Sequence, residues 1–143
     1  MHLSVAVTQR LQDYKGATMN KKRVDMWLER AYDALIKSGI ADSNKRINKT
    51  FRGQISSFGA AVITGSFKSA LAFFLEQGGA SVERNKLISA MDYVINENKT
   101  KVDDAKTVFD NVCKSTDLKD MRAKFIDASI AIKLAMNLFE LKD

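Results

Sequence analysis

The residues best suited to chemistry in this chain are positively charged and lie close together in the middle of the sequence. The stretch between Asp42 and Glu76 contains no aspartate or glutamate. Lysine and arginine bind phosphate through charge and hydrogen bonds, and here no neighbouring carboxylate in the sequence neutralises them. We therefore predict a polyanion, with nucleic acid first, as the ligand of Lys45, Arg46, Lys49, Arg52 and Lys68.

The net charge of +6 comes from one half of the chain. Residues 20–68 contain ten Lys and Arg against four acidic residues, whereas residues 69–143 contain eleven against twelve. A one-sided positive field attracts polyanions from one direction. The alternative is an ordinary solvated helix face, but such faces tend to mix both signs at i, i+4 spacing, so the missing acids favour polyanion binding.

Other residues lack the spacing of a catalytic or metal site. Cys113 is the only cysteine and His2 the only histidine, which excludes disulfides, Cys/His zinc clusters and triads built on an interior histidine. We therefore predict no catalytic residue, no metal and no cofactor. The acidic residues Asp103, Asp104, Asp117 and Asp120 are interpreted as helix-capping and solvated groups.

The elements that must position the cations are predicted to be helices. Proline is absent, and apolar residues recur every three or four positions from about Val24 onward, which favours helices over sheets. A chain of 143 residues is long enough to bury one core. We predict an all-α, single-domain bundle of about six helices, with residues 1–19 as an N-terminal extension and residues 20–143 as the helical bundle domain.

Capping residues and glycines set the predicted limits of these helices. The first helix is predicted from Asn20 to Ser38, and the second, basic helix from Ser43 or Asn44 to Thr64. The other four are predicted over Ser66 to Glu76, Ser81 to about Asn98, Val102 to Cys113, and from Ser115 or Thr116 to the end of the apolar pattern.

The basic helix is predicted to have two opposite faces. At about 100° per residue, the cationic face contains Lys45, Lys49, Arg52 and Ser56. The apolar face, nearly opposite, contains Phe51, Ile55, Phe58 and Val62. One face can therefore be buried in the bundle while the other presents positive charge to solvent.

The last predicted helix carries the longest apolar pattern, which spans three heptads: Leu118, Met121, Phe125, Ala128, Ile132, Ala135 and Phe139. A second stripe widens the apolar face: Ile126, Ile130, Leu134 and Leu141. We therefore expect this helix either to be central in the bundle or also to be buried against another molecule.

Some residues have both a packing and a binding interpretation. The helical spacing of Trp27 and of Phe73–Phe74 favours core positions over nucleobase stacking. Cys113 is interpreted as a small core residue rather than a nucleophile. Gly53 and Gly59 in the basic helix favour tight helix crossing, with close approach of a phosphate or of a neighbouring subunit as the alternative.

One segment resembles a known protein family. Residues 51–58, FRGQISSF, and residues 62–75, VITGSFKSALAFFL, look like the signature of the small helical subunit of type III-B CRISPR effectors. In that family an aromatic-led basic helix leads through a glycine turn into a segment ending in Leu-Ala-Phe. The resemblance covers about residues 20–95, although Gly65-Ser66-Phe67 replaces the usual asparagine-glycine-leucine turn and no proline precedes the apolar end of the basic helix.

The resemblance implies a non-catalytic protein whose copies stack into a filament beside guide-carrying subunits. Basic residues would line the channel that receives target RNA. The implied partners are copies of this chain, other subunits of the effector complex, and guide and target RNA. A different class of interpretation is a basic helical bundle that binds an acidic partner protein or an anionic membrane surface. An enzyme is a third interpretation and rests only on scattered acids.

Compartment is predicted from cysteine usage and hydropathy. A single cysteine fits a reducing compartment, and no apolar run approaches the twenty or so residues needed to span a bilayer. The mildly apolar first seven residues lack a cationic lead and a clear cleavage site, so they do not resemble a secretory signal. We therefore expect a cytoplasmic protein with no membrane partner.

Overall fold

The computed structural model describes residues 19–76 and 82–143, and in these ranges the chain forms a bundle of six α-helices. The predicted all-α fold class is therefore confirmed. Apart from Met19, the predicted N-terminal extension lies outside the described residues, as does Ser81, the predicted start of the fourth helix. No helix within the described ranges is long and apolar enough to cross a membrane. The helices are α1 (Lys21–Lys37), α2 (Lys49–Thr64), α3 (Phe67–Leu75), α4 (Asn85–Ile95), α5 (Ala105–Cys113) and α6 (Leu118–Ala135).

The limits of α1 follow from the local sequence. The side chain of Asn20 accepts a hydrogen bond from the backbone N–H of Arg23 at 3.1 Å, which caps the start of the helix. At the other end, Gly39 has φ +79°, a left-handed conformation that favours glycine and stops the helix. The prediction of a helix from Asn20 to Ser38 is therefore confirmed.

The long helix α6 is central, because α1, α2 and α4 all pack against it. The heptad residues Phe125, Ala128, Ile132 and Ala135 are buried, whereas Leu118 at the start of the helix is exposed. In the second stripe Ile126 is buried and Ile130 is partly buried against the core. The first of the two expected roles for this helix, a central position in the bundle, is therefore confirmed.

The end of the apolar pattern is not helical, so the predicted three full heptads were wrong. After Ala135 the chain forms a 3-10 turn, Met136–Leu138, and then strand β2, Glu140–Lys142. This strand pairs in parallel with β1, Arg46–Asn48, which places Leu141 beside Ile47. Strand pairing gives the backbone N–H and C=O groups of this segment the hydrogen bonds that a continued helix would otherwise have provided. The sequence pattern predicted no sheet, and this two-stranded one is the exception.

The chain also turns where the basic helix was predicted to begin. Oδ1 of Asp42 accepts hydrogen bonds from the backbone N–H groups of Asn44 and Arg46, each at 2.9 Å. Lys45, between them, has φ +58°. An aspartate that binds backbone amides two residues ahead stabilises a turn in competition with a helix. The predicted start at Ser43 or Asn44 was therefore wrong.

Helix α2 begins after strand β1, at Lys49. The side chain of Asn48 caps it by accepting a hydrogen bond from the backbone N–H of Thr50 at 2.9 Å. Lys45 and Arg46 therefore precede the helix, and Lys45 does not share a helical face with Lys49. The apolar half of the prediction is confirmed, because the buried residues of α2 are Phe51, Ile55, Phe58 and Val62.

A salt bridge between Asp42 and Lys142 fastens strand β2 to this turn, with Nζ of Lys142 2.8 Å from Oδ2 of Asp42. The hydrogen bond from Lys142, together with that from the Arg46 backbone, lowers the pKa of Asp42 to about 2 from its usual 3.8. A depressed carboxyl pKa stabilises the fold above the ordinary pKa and ceases to do so as pH falls through the folded-state value.

We expect Asp42→Asn to lower stability at pH 7 and to have little effect near pH 2, because the wild-type carboxylate loses its advantage between about pH 4 and pH 2. Urea unfolding midpoints at several pH values would measure this. Asp25→Asn is the control, since Asp25 is exposed on α1 and makes no ion pair within the described ranges. If Asp42→Asn lowered the unfolding midpoint equally at pH 7 and pH 2, the lowered pKa of Asp42 would be contradicted.

Candidate nucleic-acid interface

The start of α2 carries two of the predicted ligand residues, Lys49 and Arg52. Nζ of Lys49 is 2.5 Å from Oδ1 of Asp143, but the two side chains are 65% and 89% exposed. Exposed pairs of this kind contribute about 0–1 kcal/mol, so a phosphate can compete for the lysine. Arg52 donates a hydrogen bond to Oδ1 of Asn137 at 2.6 Å. The amide orients the guanidinium without neutralising its charge.

Lys45 and Arg46 lie in the turn and strand before α2, within four residues of Lys49. Lys45 is exposed and forms no ion pair with any residue the structure describes. Arg46 is half-buried, with Nε 3.6 Å from Oδ2 of Asp42 and without a hydrogen bond. Arg46 shares this carboxylate with Lys142 and is held against the fold, so the exposed Lys45 is the better-placed phosphate ligand of the two.

Lys68 does not join the other four cations. It is exposed in the first turn of α3, beyond the C-terminal end of α2. Helix α2 has 16 residues, so its ends are about 24 Å apart at 1.5 Å per residue. The structure thus brings Lys45, Arg46, Lys49 and Arg52 to one end of α2 and leaves Lys68 at the other.

The fold also corrects the expectation of a surface free of acids. Asp143 reaches Lys49, and Asp42 reaches Arg46. Both carboxylates lie outside the acid-free stretch of the sequence, so the sequence pattern did not indicate them. We define the cationic end of α2 as Lys45, Lys49 and Arg52, the residues that are either unpaired within the described chain or paired only at the surface.

The exposed surface of α2 beside these cations consists of small residues. Gly53, Ser56, Ser57, Ala60 and Thr64 are all exposed. A Cβ atom added at Gly53 or at Gly59 would meet nothing within 4 Å. The predicted tight helix crossing at these two glycines was therefore wrong. Small side chains here leave the helix surface open to close approach by another molecule.

A groove between α2 and α3 lies along the same half of α2. It has a volume of about 420 Å³, within the usual range of small-ligand sites. We call it the Phe73 groove. Its walls are Thr50, Gly53, Gln54 and Ser57 of α2, Phe73 and Phe74 of α3, and Arg84 just before α4.

Phe73 is the most exposed aromatic group of this groove. Its side chain is 57% exposed, whereas Phe74 is buried and packs edge-on against Phe58 with ring centroids 5.4 Å apart. The guanidinium carbon of Arg84 lies 4.1 Å from the centroid of the Phe73 ring, and Nε of Arg84 donates to the Phe73 carbonyl at 3.2 Å. The prediction that both phenylalanines are core residues was therefore right for Phe74 and wrong for Phe73.

The sequence held a signal for Phe73 but none for Arg84. The buried residues of α3 are Phe67, Ala70, Leu71 and Phe74, at i, i+3, i+4 and i+7. Position 73 lies outside that stripe, so a stricter use of helical periodicity would have placed it at the surface. Arg84 reaches the ring from eleven residues away, and no local pattern predicts that contact.

Most of the remaining candidates for chemistry have structural roles, and Cys113 is the exception among those described. Asp104 and Asp117 cap α5 and α6 by accepting from backbone N–H groups at 3.0 Å each, which confirms the capping interpretation for both. Cys113 is exposed, so its interpretation as a core residue was wrong. Trp27 is buried, as expected. No group of three or more His, Cys, Asp or Glu residues in the described part of the chain could hold a metal ion.

No protein-family model, no curated protein and no solved structure matches this chain.

Proposed function

We propose that this chain is a non-catalytic RNA-binding subunit of a type III-B CRISPR effector complex. The observation that carries the proposal is the cationic end of α2, where Lys45 and Arg52 have no carboxylate partner among the described residues and Lys49 has only an exposed one. These cations stand beside a helix surface of glycine, serine and alanine, which allows a phosphate backbone to approach.

The expected ligand is a single RNA strand held through its phosphates. Lysine and arginine contacts to phosphate set position and affinity but do not read base sequence. In an RNA-guided complex, base identity is read by the guide strand, so this subunit needs no sequence preference of its own. The three cations are therefore expected to bind strands of different sequence with similar affinity.

Assembly with other subunits is part of the proposal and is supported by the sequence resemblance. The residues quoted for that resemblance lie in α2, the turn at Gly65 and α3, the elements that carry Lys49, Arg52 and most of the Phe73 groove. Copies of the chain stacked along one RNA strand would gain affinity through effective concentration without new contacts. A single copy is therefore expected to bind RNA weakly.

Binding to an anionic membrane has less support. Lipid insertion needs bulky apolar side chains beside the cations at the surface. The apolar residues of the same helix, Phe51, Ile55 and Phe58, are buried in the core, so insertion would depend on exposed side chains of other elements, such as Phe73 and Leu138. Liposome flotation with anionic vesicles, in parallel with RNA binding, separates the two alternatives.

Filter binding of single-stranded RNAs of several sequences tests the proposal. If about four phosphates are neutralised per copy, log K should fall with log salt concentration with a slope near −3, since each phosphate of a single strand contributes roughly 0.7. Affinities should agree between sequences within a few-fold. A slope near zero, or flotation with vesicles in the absence of RNA binding, would contradict the proposal.

A further inference from the structure

We propose that the Phe73 groove binds one unpaired nucleobase of the RNA strand. This inference rests on the RNA-binding function proposed above and adds a base contact to the phosphate contacts. In the first turns of α2, Lys49 is followed by the groove residue Thr50, and Arg52 is followed by the groove residue Gly53. The groove and the cations therefore lie on adjacent sides of the same part of the helix. A strand held by the cations therefore passes within reach of the groove.

The aromatic ring and the guanidinium form a stacking surface. Phe73 is an exposed phenyl ring, and the guanidinium carbon of Arg84 lies over it, 4.1 Å from its centroid; both groups are planar. Proteins that bind single-stranded RNA stack bases on aromatic rings and on arginine side chains, and such stacking tolerates any base. A base in the groove would extend this pair without introducing a sequence preference.

The wall opposite offers hydrogen bonds to the edge of a base. Gln54 lines the groove, and its Oε1 is buried without a hydrogen-bond partner among the described residues, so the amide has to turn toward the groove to meet a base. Bases carry both donors and acceptors on their edges, and a glutamine amide can match either through rotation of its terminal group. The Ser57 hydroxyl donates to the Gly53 carbonyl at 3.1 Å and keeps its own lone pairs free to accept from a ligand.

The charge of the groove also fits a nucleotide better than an acidic or purely apolar ligand. Its seven lining residues within the described ranges include one cation and no carboxylate, so none of these seven repels the phosphates that flank a bound base. A hydrophobic peptide side chain or a second copy of the chain would use the exposed ring but not the guanidinium or the unpaired amide. The second copy of the chain becomes one outcome of the experiment.

The experiment compares two strands of the same length and phosphate count, about twelve nucleotides, which lies within the usual site size of single-strand binders. One strand is ordinary single-stranded RNA, and the other has the same backbone without bases. Phe73→Ala should weaken binding of the ordinary strand about 5- to 150-fold, which corresponds to the 1–3 kcal/mol of a stacked base. Binding of the base-free strand should not change, because the phosphate ligands are intact.

Matched variants separate stacking from damage to the fold. Phe73→Trp should preserve binding of the ordinary strand, whereas Phe73→Leu, which stays apolar, should lose it. Gly53→Leu should block the groove, while Gly59→Leu on the same helix should not, since Gly59 does not line the groove and an added Cβ has free space at either glycine. Circular dichroism of each variant reports whether the helices remain.

The outcomes distinguish the base contact from the wider RNA-binding proposal. If the wild-type protein binds both strands equally and Phe73→Ala changes neither, the base contact is overturned while phosphate binding stands. If the wild-type protein binds neither strand, both proposals are overturned. If Phe73→Ala alters sedimentation of the free protein but not RNA binding, the groove is an interface between copies and the base contact is again overturned.

Discussion

Replacing Arg23 with alanine is expected to cost about 3–5 kcal/mol of folding stability, the usual effect of removing one partner of a buried ion pair. Nε of Arg23 donates to Oδ2 of Asp127 at 2.8 Å, and the Asp127 side chain is 1% exposed. The backbone N–H of Asn20 also donates to Asp127, at 3.2 Å. Without Arg23, this buried carboxylate would keep a single backbone donor from the described part of the chain. Urea denaturation at pH 7 measures the loss.

A pH series strengthens the test of this ion pair. Burial raises the pKa of Asp127, against the lowering effect of Arg23 and of the Asn20 backbone. Removing Arg23 removes a lowering effect, so the pKa should rise further. A raised carboxyl pKa means that the folded state takes up a proton as pH falls. The stability deficit of Arg23→Ala should therefore shrink as pH falls from the higher Asp127 pKa of the folded variant to the Asp127 pKa of the folded wild type, and stay constant below it.

Lys22→Ala is the matched control, because Lys22 is the exposed neighbour of Arg23 on α1 and forms no ion pair within residues 19–76 and 82–143. It should change stability by no more than about 0.5 kcal/mol. Replacing both partners with apolar residues, as Arg23→Met with Asp127→Leu, should recover much of the loss. If Arg23→Ala lowered the free energy of unfolding no more than Lys22→Ala does, or by the same amount at every pH, the buried ion pair would not have the proposed effect on stability.

The second large effect is expected in RNA binding. Changing Lys45, Lys49 and Arg52 together to alanine should weaken binding of single-stranded RNA about a hundredfold at 0.1 M salt. The loss of three phosphate contacts should reduce the slope of log K against log salt concentration by about 2 in magnitude. A slope of about 2 corresponds to a hundredfold change in affinity between about 0.1 M and 1 M salt. The loss should be the same for strands of different sequence, because these residues contact phosphates.

A second triple variant controls for charge alone. Lys21, Lys22 and Lys101 are exposed and form no ion pair with other described residues, so their replacement by alanine removes the same charge from elsewhere on the surface. It should weaken RNA binding only a few-fold, through the reduced long-range field. Equal losses in the two triple variants would show that net charge, rather than the cationic end of α2, holds the RNA.

Local sequence predicted the fold wherever a helix limit depends on neighbouring residues. Asn20 caps α1 and Ser66 caps α3, each by accepting from a backbone N–H within three residues, and the sequence indicated both. The start of α2 depends instead on strand β1, which pairs with β2 from the end of the chain and is fastened by the bond from Lys142 to Asp42, 100 residues away in the sequence. No local pattern reports such a contact, so the chain was predicted as helix where it forms a turn and a strand.

The candidate site was predicted in part for the same reason. Helical periodicity placed Lys49 and Arg52 opposite the buried Phe51 and Ile55, and the structure agrees. The partners of those cations were not predictable, because Asp143 and Asn137 arrive only when the end of the chain packs against the start of α2. The sequence therefore identified the positive charge but overestimated how much of it remains free.

The salt dependence of RNA binding, measured side by side for the wild-type protein and the Lys45, Lys49 and Arg52 triple alanine variant, tests the central claim most directly. The account predicts a log–log slope near −3 for the wild type and near −1 for the variant, since roughly 0.7 is lost with each phosphate contact. Two equal slopes would mean that these three side chains do not contact phosphate, and they would contradict the proposed function.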